Sequence, residues 1–331
     1  REAIQDDLDK EMEELQPKIK EYSQTAQGAD PEAIKKAQEA VGVGGVDINS
    51  TNFPDVNFRT YVTSDAIDTS KDNVLSAAEA AAVVNIQQLT GGVASLKGIE
   101  YFTNLRVLDC SGWGYTYLTT LDLSQNTSLT TLKCSSNRLT TLDLSKNIAL
   151  TTLDCNNNQL TTLDLSKNTV LTTLYCYWNR LTALDLSKNT ALTELNCYMN
   201  GLTTLDLSKN IALRELNCNQ NYRLTNLNVS NNTRLTILNC GQTALTSLDV
   251  SKNTALTNLW CYNSQLTSID VSKNTLLTDF ACSSNKLTSL DVSKNTLLTV
   301  LNCYHNQITS LDVSKNVLLT HLVCSENQLT S

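Results

Sequence analysis

The sequence predicts an α/β solenoid, a stack of short coils sharing one parallel sheet, behind a helical N-terminal cap. Three observations predict it: a segment repeated at a fixed period, one cysteine in every copy, and a different, helical pattern before the copies begin. "LTTLDCNNNQLTTLDLSKNTV" (150–170) is followed at once by "LTTLYCYWNRLTALDLSKNTA" (171–191). The cysteines are Cys110, Cys134, Cys155, Cys176, Cys197, Cys218, Cys240, Cys261, Cys282, Cys303 and Cys324, all 11 in the chain, mostly 21 residues apart. A period of this size marks coils that can bury their apolar edge only against their neighbours.

Residues 1–27 carry Ile4, Leu8, Met12, Leu15, Ile19 and Tyr22 at steps of four and three, an amphipathic helix interrupted at Pro17. Asp30-Pro31 then reads as an N-cap with proline in the first turn, and the pattern Ala33 to Val41 runs into Gly42, so 1–45 is expected as a helical hairpin. "VGVGG" (41–45) reads as a hinge or linker into a cap over 46–95. Within that cap, "NFPDVNFRTYV" (52–62) predicts a short helix that buries Phe58, Tyr61 and Val62.

"DTSKDNVLSAAE" (68–79) follows the calcium-loop spacing of an EF-hand. Asp68, Ser70 and Asp72 stand at positions 1, 3 and 5, Val74 offers its carbonyl at 7, and Ser76 and Glu79 stand at 9 and 12. Asn73 replaces the usual glycine and tolerates the same left-handed backbone. The alternative is a plain turn in which Ser76 and Glu79 form a capping box for the following helix. Both readings use Glu79, and Ca²⁺ is the one cofactor the sequence suggests.

From about residue 96 the coils read L-x-x-L-x-C-x-x-N-x-L-x-x-L-D-[LV]-S-x-N-T-x. This is close to the leucine-rich-repeat form, with cysteine in a core leucine's slot, and predicts a horseshoe of 21-residue repeats with a parallel concave sheet. Stacked equivalents sit about 4.8 Å apart with parallel side chains, whereas a disulfide wants its Cβ atoms about 4 Å apart and facing. A ladder of buried free thiols fits better than a staple framework, although disulfides are the common inference for a cysteine-rich secreted chain. Asn137, Asn158, Asn179, Asn200, Asn221, Asn285, Asn306 and Asn327 form a second ladder, expected to satisfy backbone groups at the turns, with Thr243 and Ser264 breaking it. Insertions near 114–116 and near Tyr222-Arg223 fall in turns.

These residues resemble the cysteine-ladder leucine-rich repeats of internalin J and related secreted or surface-anchored proteins of Gram-positive and gut bacteria. Period, Cys, Asn and the "LD[LV]SKNT" segment all agree, over residues 46 to 331. The resemblance implies an extracellular adhesion or ligand-binding role, and an EF-hand-like helical cap at the start of the array. It names no ligand.

The x positions of L-x-x-L-x-C point away from the core and vary between copies, so recognition is expected on the concave face. Tyr175, Tyr177, Trp178 and Tyr198, with Met199, gather on two adjacent coils of a chain that is only 5% aromatic. Trp260 and Tyr262 make a second cluster. The rings of Tyr175, Tyr177, Trp178 and Tyr198 are expected to form one contiguous platform for a protein or carbohydrate ligand, such as one on a host surface, with Glu194, Asn196 and Asn217 as polar neighbours. The rival reading is a passive spacer that displays another domain, which near-identical repeats would also suit.

The formal net charge of −8 argues against nucleic acid and anionic membranes. Lys146, Lys167, Lys188 and their equivalents are each preceded by an aspartate three residues earlier, which reads as a neutralised, solvated convex face. No stretch of about 20 apolar residues could span a bilayer. Catalysis has little support: His305 and His321 lie too far apart for a relay, and buried thiols make poor nucleophiles. The array is expected to be a monomer. It stops at Ser331, inside a repeat that begins at Leu319, so continuation into more repeats, a cap or an anchor is expected.

Overall fold

The structure, a computed structural model, describes residues 30–87, 89, 92–112 and 117–330. The helix expected over 1–27 and the insertion at 114–116 lie outside the described residues. Helix α1 (Pro31–Val41) starts where Asp30 accepts from the Glu32 N–H at 3.1 Å and stops at Gly42. Ala37 and Val41 enter the common core, and Lys36 Nζ donates to Thr127 Oγ1 at 2.9 Å, tying the helix to the first coils. The chain then turns into β1 (Val46–Asp47), reaches α2 (Val56–Val62), and returns as β2 (Val74–Leu75), antiparallel to β1 with Val46 opposite Leu75. Helix α3 (Ala77–Ala82) closes the cap and packs on α1.

Asp55 caps α2 by accepting from the Asn57 and Phe58 N–H groups, while its other oxygen accepts from the Ala94 N–H at 2.8 Å. One carboxylate therefore fixes both the helix start and the segment leading to the array. Phe58 and Val62 are fully buried and Tyr61 half-buried. Phe53, Phe58, Phe102 and Tyr101 pack ring to ring with centroids 5.6–6.5 Å apart, sealing the N-terminal end of the solenoid core. Gly98 is required beside them: its φ is +104°, and a Cβ there would lie 2.3 Å from the Phe53 ring.

The array is a 12-stranded parallel sheet running in chain order from β3 (Asn85–Ile86) to β14 (His321–Val323). Its central strands are β6 (Thr152–Asp154), β7 (Thr173–Tyr175), β8 (Glu194–Asn196), β9 (Glu215–Asn217), β10 (Ile237–Asn239) and β11 (Asn258–Trp260). Only the middle leucine of each faces inward, and these leucines are in register: Leu153, Leu174, Leu195, Leu216. Each coil before that of β14 adds a buried set such as Leu171, Leu174, Cys176 and Leu181. At about 1.5–3 kcal/mol per buried leucine, this one stripe supplies the drive to stack.

The thiols are free, as the spacing predicts, and all are buried except the half-buried Cys324. Burial pushes the buried thiols up, to about 12 at Cys218 and Cys261. The asparagines after each cysteine do the expected work. Asn158 Nδ2 donates to the carbonyls of Cys134 and Cys155 at 3.0 and 3.1 Å, and its Oδ1 accepts from the Leu139 N–H. Where Thr243 and Ser264 interrupt that ladder, their hydroxyls bond each other at 3.1 Å.

A second asparagine ladder went unread in the sequence. Asn147, Asn168, Asn189 and their equivalents, the Asn of S-x-N, are fully buried although the preceding Ser and Lys are exposed. Asn168 Nδ2 donates to the Leu144 and Asn147 carbonyls at 3.2 and 2.9 Å, closing the outer turn onto the coil before. The convex aspartates are exposed, as expected, and also serve the turn. Asp143, Asp164 and Asp185 accept from the N–H two residues on, and among the described residues none pairs with its lysine. Those serine hydrogen bonds, and only last the lysine charge, hold the carboxyls below their ordinary range. The turn uses the aspartate as a local acceptor, because an exposed ion pair would gain little.

Candidate functional site

Three outward-facing rows cross the sheet: the first and last residues of each strand, and the residue just after each cysteine. A further row follows at the exit turn, where the backbone is left-handed in each coil from Ser136 to Glu326: φ is 50° at Asn157, 52° at Trp178, 51° at Met199 and 54° at Gln220. Asparagine suits this conformation; Trp and Met do not, and each holds it at a cost of order 1 kcal/mol or more. Trp178 and Met199 therefore sit at the rim, 47% and 41% exposed, rather than in the core where alternation two residues past the inward cysteines would put them.

The rings do not form one platform. Tyr177 and Tyr198, in the row after the cysteines, stack with centroids 4.7 Å apart and planes 13° from parallel. Tyr175 lies in the strand-end row, where its hydroxyl donates to Glu194 Oε1 at 2.5 Å. Its register partners are Asp154 and Asn196. Burial, the Glu194 hydrogen bond, and the charges of Glu194, Glu215 and Asp154 all push the Tyr175 phenol up. Burial also raises Asp154, against hydrogen bonds from Asn156. Glu194 and Glu215 stand directly opposite each other on β8 and β9.

The second cluster is separate. Tyr262 folds back over Gly241, where a Cβ would lie 2.8 Å from its ring, and its hydroxyl accepts from Asn219 Nδ2 at 3.2 Å, two coils away. Trp260 ends β11 and is partly exposed. The lack of a side chain at Gly241 lets one tyrosine span the intervening coil, a contact that no sequence spacing announces. His305 bonds Glu326 at 2.8 Å and His321 bonds Thr320 at 2.9 Å, both exposed.

In the cap, Lys71 and Asn73 have φ of 59° and 60°, so Asn73 adopts the left-handed form expected at the sixth position of the loop. The Asn73 N–H donates to Asp68 Oδ2 at 3.1 Å, and the Val74 N–H to Asp72 Oδ1 at 2.9 Å. Glu79 accepts from Ser70 N, Thr69 Oγ1, Ser76 N and Ser76 Oγ, all within 3.0 Å, and the reciprocal Ser76 capping bond is present. Burial alone would raise this carboxyl, but the bonds from Ser76, Ser70 and Thr69 outweigh it and hold it at about 2. Among the described residues no three His, Cys, Asp or Glu side chains converge as a metal-holding group. The backbone fits a cation loop, then, while its carboxylates are engaged by the loop's own donors.

A long parallel sheet backed by a thiol ladder and an asparagine ladder defines a leucine-rich-repeat protein of the cysteine-ladder kind. Among solved structures it is similar to the functional domain of InlJ from Listeria monocytogenes, described as including a cysteine ladder. The two share 37% identity over 88% of this chain and 64% of that domain, with a TM-score of 0.79. The chain spans about 64% of the length of that domain and shares its cysteine ladder. An internalin, InlF, from the same species is 24% identical over 87% of this chain and 93% of its own, TM-score 0.69. The plant peptide hormone receptor RGFR1, in complex with RGF2, is 18% identical over 69% of this chain and 41% of its own, TM-score 0.58. These last two likenesses show the fold alone. No protein-family model and no curated protein matches the chain.

Proposed function

We propose that the chain is an extracellular adhesion module that recognises a protein partner on its concave face, centred on the coils of β7, β8 and β9. The carrying observation is the stacked Tyr177–Tyr198 pair beside Tyr175, with exposed Trp178 and Met199 at the rim, in an array whose flanking coils present Asp154, Asn156 and Asn157 on one side and Asn217, Asn219 and Gln220 on the other. Exposed aromatics that cluster on a rigid sheet are the usual anchors of a contact site. Support for the class comes from the likeness to the functional domain of InlJ. A secreted or cell-surface location follows the same likeness, and no described helix is long and apolar enough to cross a membrane.

The test is a screen of the purified full chain against host surface proteins and a glycan array. A partner whose binding falls with Trp178→Ala or Tyr198→Ala, at unchanged melting temperature, supports the reading. Lys167→Ala, on the convex side, should leave binding intact. If no partner is found, or the variants bind like the parent, the array acts as a spacer.

For the cap, the proposal is that Asp68, Ser70 and Asp72, the Val74 carbonyl, Ser76 and Glu79 can hold calcium. The left-handed Asn73 and the loop's spacing support it, and binding would require Glu79 to exchange its protein donors for the ion.

A further inference from the structure

The rows around Tyr175 carry more negative charge than the sheet needs. Glu194 and Glu215 are in direct register on neighbouring strands, about 4.8 Å apart along the backbone. Like charges placed opposite each other destabilise a sheet. Neither is in an ion pair among the described residues, and only one oxygen of Glu194 is taken, by Tyr175. Asp154 completes the group one coil earlier.

A second observation points the same way. Asn219 follows β9 in the row of the stacked tyrosines and is only 8% exposed, yet its Oδ1 has no partner. Its other limb bonds Tyr262, so whichever way round the amide sits, one limb lacks a partner. Asn196, half-buried beside Tyr175, likewise leaves its shielded Oδ1 unpaired. The outer-turn asparagines Asn147, Asn168 and Asn189 also leave Oδ1 unpaired, inside the coil stack; those of Asn196 and Asn219 differ in belonging to side chains on the concave rows, where a partner's donor would offset the cost. Carboxylates, orphan carbonyl oxygens and the faces of two stacked tyrosines together suit a planar, donor-only cation. A guanidinium has five N–H donors and no acceptor, pairs with carboxylates in a bidentate manner and stacks on aromatic faces. The overall charge of −8 would steer such a partner inward.

We infer that the concave patch of Tyr175, Tyr177, Glu194, Tyr198, Glu215 and Asn219 receives an arginine-bearing polypeptide segment. This rests on the concave-face reading above and adds the chemistry of its partner. Glu194 and Glu215 hold the guanidinium, the tyrosine stack covers the flanking side chains, and the like-charge cost within the sheet is relieved when the cation arrives.

The test is fluorescence anisotropy of the full chain with a labelled arginine-rich peptide and with the same peptide carrying citrulline, its uncharged isostere. The arginine peptide should bind and the citrulline peptide should not. The double variant Glu194→Gln, Glu215→Gln should weaken binding by about tenfold or more, while melting at or above the parent temperature because the repulsion is gone. Asp143→Asn with Asp164→Asn, equal in charge change but on the outer turns, should bind like the parent. Equal binding by the two double variants would show unspecific attraction and overturn the inference, as would no binding of the arginine peptide. If that peptide fails while the screen above finds a partner lost with Tyr198→Ala, the concave-face reading stands and the arginine inference falls, a glycan hit making the patch a sugar site. If the screen also finds nothing, both fall.

Discussion

The rings of Tyr177 and Tyr198 lie 4.7 Å apart and 13° from parallel, stacked across two coils by a sheet register that puts residues 21 apart side by side. Such a pair contributes about 0.5–1.5 kcal/mol beyond its buried area. A double-mutant cycle on Tyr177→Ala and Tyr198→Ala, read by chemical denaturation, should return a coupling in that range. Strict additivity would mean the stack does not persist in solution.

The thiol ladder should be reduced and shielded. Burial pushes Cys197 and Cys240 well up, and a neutral buried thiol is inert. A thiol-reactive dye should label at most the half-buried Cys324 in the native protein, and all 11 sites after denaturation without reductant. Labelling that needs prior reduction would establish disulfides instead. Cys197→Ser should cost roughly 1–3 kcal/mol, because a buried hydroxyl needs a partner that a thiol does not.

Removing an outer-turn asparagine should be more damaging than its polar character suggests. Asn168→Ala leaves the Leu144 and Asn147 carbonyls without their side-chain donor, at about 1–3 kcal/mol each. Thermal or urea unfolding of this variant, compared with Lys167→Ala one residue before, separates the ladder from the exposed turn around it. Equal stability of the two would remove its structural role.

The cap should respond to acid before the array does. Glu79 is held at about 2, below its ordinary 4.5, so its hydrogen bonds stabilise the fold fully above about pH 4.5, and that contribution is lost as pH falls toward 2. Hydrogen exchange across 68–82 should rise over that window. Glu79→Gln should flatten this pH dependence.

Calcium at the same loop should raise the melting temperature of the cap by mass action, and Asp68→Ala should abolish the gain while leaving the Ser76–Glu79 box in place. A melt that is the same with millimolar calcium and with chelator would leave the loop as a hydrogen-bonded turn alone.

The sequence by itself determined the frame. A strict period, one cysteine per copy and an apolar residue at every inward slot leave a stacked solenoid as the way to bury Leu174, Cys176 and Leu181, and the Asp30 cap and the Ser76–Glu79 box are local enough to read directly. The S-x-N asparagines were legible only in principle: they recur as faithfully as the leucines, but a polar residue beside Ser and Lys looks solvated until the turn is seen to close over it. Which variable residues meet was decided by the tertiary structure. Tyr175 reaches Glu194 and Tyr262 reaches Asn219 across coils, through side-chain direction and the gap left at Gly241. Trp178 avoids the inward side that alternation from Cys176 would give it because the backbone turns left-handed there. Periodicity fixes where a coil sits, since every coil shares the same core geometry; contacts between unlike side chains depend on the particular pair that the stacking brings together.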